Sequence, residues 1–139
     1  MSTEGNKDIV RHWVEELDKG NLAVVDEIVA NTLVHHDPAN PSVTSREEYR
    51  QWLAALYSAF PDAHWTIEEL TAEGDKAVAR LTLRGTHRGE WRGVPPTGRK
   101  VAVTMTQTNR IAGGRFVETW VRSDSLDLLQ QLGAAPAHR

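Results

Sequence analysis

Two histidines and an aspartate stand side by side at His35-His36-Asp37, followed closely by Pro38 and Pro41. A neutral imidazole near pH 7 can take a proton from a substrate, so His35 is a candidate general base and His36 a candidate contact at a pocket rim. The same triplet has the composition of a metal site, but neighbouring residues of one loop rarely converge on a single ion and no distant acidic partner is implied. No metal is expected. Gln107 and Asn109 form a second group: two amides able to orient a substrate carbonyl or to satisfy buried backbone. Asp124 is the third candidate, either an acid reaching a pocket mouth or the N-cap of the Leu-rich stretch behind it. Trp52 and Tyr57 belong to a set with Trp13, Trp65, Trp91 and Trp120, flat walls that suit a hydrophobic ligand where they are not ordinary core. His87, in Gly85-Thr86-His87, is read as holding a turn. The chain has no cysteine, which excludes disulfides, thiolate nucleophiles and Cys-ligated metals.

These residues need a frame. Ile9, Val10, Trp13, Val14 and Leu17 recur at helical spacing between Lys7 and Lys19, and Gly20 stops the run. A second helix can start at Asn21 and carry Leu22, Val25, Ile28 and Val29 on one side. The segment from His35 to Pro41 is expected to be a loop, because prolines lack amide donors and restrict the residues before them. Ser45 with Glu48 is a capping box opening a third helix, with Tyr49, Trp52, Leu53, Leu56, Tyr57 and Phe60 as its stripe and Pro61 as its stop. From Trp65 four strand-like segments follow, separated by Glu73-Gly74-Asp75, the stretch from Gly89 to Gly98, and Gly113-Gly114. Short turns between successive strands imply antiparallel pairing. Alternation from Val101 to Ile111 turns Val101, Val103, Met105, Gln107 and Asn109 inward. In the next strand Val117, Thr119 and Val121 are taken as inward and Phe116, Glu118, Trp120 and Arg122 as outward. A closing helix with Leu126, Leu128, Leu129 and Leu132 ends at Gly133, and the tail after it is expected to fray.

At 139 residues the chain fits a single domain over 1–139, with its core about 7–133. Apolar residues make up 40%, charged residues 25%, and the formal charge is −3, so nothing marks a nucleic-acid binder. No run of 18 apolar residues is present, and the polar N-terminus is not a signal peptide. A cytoplasmic protein is the expectation, with no membrane partner. Helices first and strands after them describe an α+β fold with helices on one face of a sheet, and a strongly bent sheet leaves a cavity that three short helices do not fill.

Several blocks resemble a known family. Phe60-Pro61-Asp62, the run from Gly85 through Thr86-His87-Arg88-Gly89 and Gly93-Val94-Pro95-Pro96-Thr97 to Gly98, Arg110-Ile111, Gly114-Arg115, Glu118, Trp120 and Gln131-Leu132-Gly133 are similar to the SnoaL-like polyketide cyclases, or ester cyclases. The resemblance runs from about Ile9 to Gly133. It implies a cone-shaped nuclear-transport-factor-2-like fold, N-terminal helices on a curved antiparallel sheet enclosing a pocket, and a C-terminal helix. It further implies aldol ring closure without cofactor or metal, by an aspartate inside the pocket and a polar pair on the neighbouring strand. Counting through the shared landmarks, that aspartate falls on Val121, and the polar pair falls on Met105 and Gln107.

Two function classes follow. In the first, the protein is a cofactor-independent cyclase, isomerase or hydrolase acting on a small hydrophobic organic substrate, with His35, Gln107 or Asp124 in place of the missing acid. Its substrate contacts would come from His36, Trp52, Tyr57, Met105, Asn109, Thr119 and Val121. In the second, it is a noncatalytic binding domain that kept the cavity and lost its acid, with no His, Asp or Glu on the cavity wall. A third possibility is a dimerisation subunit, in which Phe116 and Trp120 on the outer sheet face join two copies; a homodimer is expected in any case.

Overall fold

The computed structural model describes residues 2–133, except the side chains of residues 125 and 126; the expected fraying of the tail and the inward role of Leu126 lie outside the described residues. The order of elements is α1 (Thr3–Asp18), α2 (Ala23–Ile28), β1 (Val29–His36), α3 (Arg46–Ala59), β2 (His64–Glu73), β3 (Lys76–Thr86), β4 (Lys100–Ala112), β5 (Arg115–Ser123) and α4 (Ser125–Gln131). The strands form one sheet in the order β1-β5-β4-β3-β2. The α+β expectation holds, with one difference: β2 to β5 pair antiparallel, but β1 joins β5 in parallel, so the sheet is mixed.

The helices follow their local chemistry. Ser2 caps α1, whose buried stripe is Val10, Trp13, Val14 and Leu17. Ser45 caps α3 by accepting from the Glu48 amide at 3.2 Å, and the Glu48 carboxylate reaches back to the Thr44 amide at 3.0 Å. Asn21 accepts from the Ala23 amide through its side chain, while the cap of α2 itself is Leu22. Asp124 caps α4 by accepting from the Asp127 amide at 2.9 Å.

Strand β1 is the element the sequence pattern does not predict. Val25 and Ile28 keep the helical spacing and lie in α2, but Val29, expected to extend that helix, opens a strand over Val29–His36, since a short apolar run does not separate helix from strand by period alone. The segment is extended because β5 offers it a partner: His35 pairs with Thr119 and His36 with Trp120. His35 and His36 therefore lie on a strand and not in a loop.

A second difference concerns β5. Between Arg110 and Ile111 the ladder shifts register, so that Arg110 pairs with Glu118 and Ile111 with Phe116. The bulge inserts a residue and flips everything before it to the other face. Phe116 is consequently inside, fully buried and edge-on to Trp13 at 5.3 Å between ring centroids, while Thr119 and Val121 keep their expected inward direction.

Between β3 and β4 a strap of residues 87–99 folds back over the end of α3. The Ala59 carbonyl, left open at the helix terminus, accepts from the Arg88 and Gly89 amides at 2.9 and 3.1 Å. Gly89 is required there, since a Cβ would stand 2.4 Å from the Ser58 carbonyl oxygen. His87 is buried, and its Nδ1 lies 3.0 Å from the Thr97 hydroxyl and accepts from the Thr97 amide at 3.2 Å. It ties the two ends of the strap together.

Because Phe116 fills space under Trp13, Phe116→Ala should lower unfolding free energy by about 3–5 kcal/mol in urea titrations. Trp120→Ala, on the half-exposed outer face, should cost less.

Candidate functional site

Alternation along β1 decides what faces inward. His35 and the residue two positions on share one side of a strand, and the residue before a proline is held extended, so Asp37 continues the alternation past the strand's end. His35 and Asp37 face the interior, and His36 faces out. The interior there is hollow, in two connected lobes. Trp13, His35, Tyr49, Trp65 and Gln107 help to line the inner lobe, Trp91, Arg92, Val103 and Leu128 the outer one, and Asp37, Trp52, Met105 and Val121 line both. The lobes have cavity volumes of about 20 and 40 Å³. That is room for a few waters at most, so a polycyclic ligand needs the side chains at the mouth to move.

The polar wall of the inner lobe is built from three elements. β1 supplies His35, only 6% exposed, whose ring packs against that of Tyr49 from α3 at 4.7 Å. β4 supplies Gln107, whose Nε2 donates to the Tyr49 hydroxyl oxygen at 2.9 Å. Three buried polar atoms among the lining residues have no hydrogen-bond partner among the described residues: Trp13 Nε1, His35 Nδ1 and Gln107 Oε1. An unpaired buried polar group costs on the order of 1–3 kcal/mol, so three around one hollow mark a place for a polar ligand or water.

Burial sets the protonation of this wall. Desolvation pushes the His35 imidazole below its ordinary value of 6.5, against the opposing pull of Asp37, so the ring is neutral near pH 7. Desolvation likewise pushes the Tyr49 phenol well above its ordinary range, only partly offset by the Gln107 hydrogen bond, so the hydroxyl keeps its proton. With Gln107 occupying an oxygen lone pair, the Tyr49 O–H remains free to donate.

Of the candidate catalytic and substrate-contact residues read from sequence, the hollow brings together His35, Trp52, Met105, Gln107 and Val121, and the expected aromatic walls Trp13, Trp65 and Trp91 line it as well. It does not bring in the others. His36 lies on the opposite face, its Nε2 donating to the Glu118 carboxylate at 2.7 Å and its ring stacking on Trp120 at 5.4 Å. Tyr57 donates to the Leu17 carbonyl and accepts from Trp65 Nε1 at 3.1 Å, a strut between α1, α3 and β2, and burial pushes its phenol up to about 12. Asn109 and Thr119 are cross-strand partners, the Thr119 hydroxyl donating to Asn109 Oδ1 at 2.9 Å, fully buried beyond the hollow. Asp124 is the α4 cap, away from the two lobes. Tyr49 and Asp37 are the residues that sequence reasoning missed as wall groups. Tyr49 carried the helical stripe of α3 and gave no other signal, and Asp37 would have been found by reading His35-His36-Asp37 as alternating strand. Among the described residues no group of three His, Asp or Glu side chains could hold a metal ion, and no helix is long and apolar enough to cross a membrane.

Comparison with known proteins agrees with this architecture. The family model described as SnoaL-like polyketide cyclase matches residues 7–132. Aklanonic acid methyl ester cyclase DnrD of Streptomyces peucetius is 30% identical over 138 residues, 96% of this chain and 92% of its own length. Among solved structures, AclR from Streptomyces galilaeus is 27% identical with a TM-score of 0.89, covering 97% of this chain and 100% of that one. IdmH from Streptomyces antibioticus is 34% identical with a TM-score of 0.78, covering 91% and 96%. The chain belongs to the SnoaL-like polyketide cyclase family, within the wider nuclear-transport-factor-2-like fold that its helices and sheet describe.

The depressed His35 pKa has a stability consequence. Below pH 6.5 the unfolded chain takes up a proton that the folded chain resists, so this group's contribution falls with pH, by up to about 1.4 kcal/mol per unit, until the folded pKa is passed. Urea melts of wild type and His35→Gln should therefore converge or cross between pH 7 and 5, the wild type losing stability faster; parallel curves would contradict the assignment.

Proposed function

We propose that this protein binds a small hydrophobic polyketide-type ketone or ester in the hollow and transfers a proton at the carbon beside its carbonyl, closing a ring without cofactor or metal. His35 is the base. The Tyr49 hydroxyl, held by Gln107, is the donor to the carbonyl oxygen. The observation that carries this reading is the buried His35, its Nδ1 unpaired, with its ring packed against that of a protonated Tyr49 on the same wall.

The steps balance within the substrate and these side chains. His35 takes the proton from the carbon, the C–H electron pair moves into the enolate, and Tyr49 donates a hydrogen bond to the enolate oxygen. The enolate carbon then bonds to a second carbonyl carbon of the same molecule. The resulting alkoxide recovers the proton from the imidazolium, and nothing is consumed.

Val121 stands on the wall directly opposite Gln107 in the β4–β5 ladder. The family resemblance puts an aspartate there in the aromatic-polyketide cyclases, and on this reading the hydrocarbon side chain leaves the base role to His35. The relative DnrD is named for aklanonic acid methyl ester, which suggests a flat polyketide ester for this chain too. Trp52 and Trp91, edge to face at 6.1 Å, would part to admit it. The noncatalytic alternative requires a wall without titratable groups, whereas His35 and Asp37 both stand there. A cytoplasmic homodimer joined through the outer sheet face completes the reading. Val34 and Val78 are exposed on β1 and β3, and Trp120 lies on β5 between those strands, although the burial of Phe116 makes that face less apolar than the sequence suggests.

Incubation with aklanonic acid methyl ester, followed by chromatography of the cyclised product, tests the proposal. Wild type should turn over, His35→Gln should lose about 10²–10⁴-fold in rate, and Tyr49→Phe about 10²-fold. A His35→Gln protein as fast as wild type would end the assignment.

A further inference from the structure

Asp37 is the carboxylate of the hollow, and its side chain is held with unusual completeness. Oδ1 accepts from the Ala39 amide at 3.1 Å and Oδ2 from Asn40 Nδ2 at 2.8 Å. Asn40 is itself buried, and its Oδ1 accepts from Trp52 Nε1 at 3.1 Å and from the Arg92 guanidinium. Arg92 also donates to the Ala39 carbonyl at 3.1 Å, and it is the one non-glycine residue with a positive φ, 51°, among the described residues. A non-glycine residue in that conformation persists only where its surroundings hold it, and it often marks a functional segment. The strap, the α3 aromatic wall and the hollow's carboxylate thus meet at a single amide.

Resting on the reading of His35 as proton acceptor, we propose that Asp37 is a positioning residue for it: the carboxylate, fixed by the Ala39 amide and by Asn40, which Trp52 and Arg92 hold in turn, stands on the His35 side of the hollow and stabilises the imidazolium formed during turnover. His35 and Asp37 lie two positions apart on one strand face, about 7 Å between Cα atoms, close enough for their side-chain charges to interact within a low-dielectric wall. The charged and titratable groups around the His35 ring are Asp37 and His36 on its own segment and Tyr49 from α3; Gln107 from β4 is uncharged. Of these only Asp37 is an anion on the inward side. A cation appearing on His35 has no other counter-charge in the hollow among the described residues. Because Arg92 belongs to the strap, the strap is bonded to the same two residues, Ala39 and Asn40, that fix the Asp37 side chain.

NMR titration of the His35 ring, assigned by the signal lost in His35→Gln, reads this coupling without any need for turnover. Asp37→Asn should lower the His35 pKa by about one unit, Asp37→Glu by less, and Asn40→Ala in the same direction as Asp37→Asn. On aklanonic acid methyl ester, Asp37→Asn should lose about tenfold in kcat with KM nearly unchanged, and Asp37→Glu should recover part of it. A His35 pKa in Asp37→Asn equal to that of wild type overturns the proposal. So does an Asp37→Asn protein turning over at the wild-type rate while His35→Gln does not, a result that leaves the His35 reading standing. If His35→Gln keeps its rate, both fall together.

Discussion

The parallel pairing of β1 with β5 is the contact on which the rest of this structure depends. It joins segments 82 residues apart, as the His36–Glu118 contact shows, and it converts a stretch that contains no turn signal into the edge of the sheet. Once that ladder forms, the two-residue period of a strand sorts the histidines. His35 goes inward against Tyr49, and His36 goes outward against Trp120 and Glu118. On the outer face His36 and Arg110 hold the Glu118 carboxyl below the usual carboxylate range, an arrangement of surface charge unrelated to the hollow. A one-residue slip of β1 would exchange the two histidines, turning His35 outward and His36 inward.

The interior then has to tolerate what the sheet carries into it. Gln107 and Asn109 lie on the same apolar face of β4, and their neighbours resolve them differently. Asn109 meets Thr119 across the ladder and accepts its hydroxyl through Oδ1, its Nδ2 staying unpaired among the described residues, so the pair becomes a buried strut. Gln107 meets Val121, which offers nothing, and turns its amide to Tyr49 while its own oxygen stays unpaired. The hydrocarbon at position 121 therefore shapes the polar chemistry of the hollow by omission. Desolvation, only partly offset by Asp37 at His35 and by Gln107 at Tyr49, keeps His35 neutral and Tyr49 protonated, and the stability lost there is offset by the surrounding apolar core.

The mouth is governed by a different set of bonds. The strap is tied at its base by His87 and Thr97, along its flank by the Ala59 carbonyl, and at its tip by Arg92 on Asn40. The glycine-rich and proline-rich run that most resembles the family in sequence is thus a cover and not a reactive segment. Its recognisability reflects turn geometry, which identifies a fold more readily than a reaction.

Local rules in the sequence determined the caps of α3 and α4, the inward face of β4 from Val101 to Asn109, the inward direction of Thr119 and Val121, and the membership of one α+β family. Each depends on residues near one another in the chain. Tertiary structure alone decided the strand at β1, the bulge that buries Phe116, and the sides taken by His36, Tyr57 and Asp37. Those outcomes depend on which distant segment supplies hydrogen bonds and apolar surface. A short run such as Val29–His36 has no conformation of its own strong enough to overrule that partner.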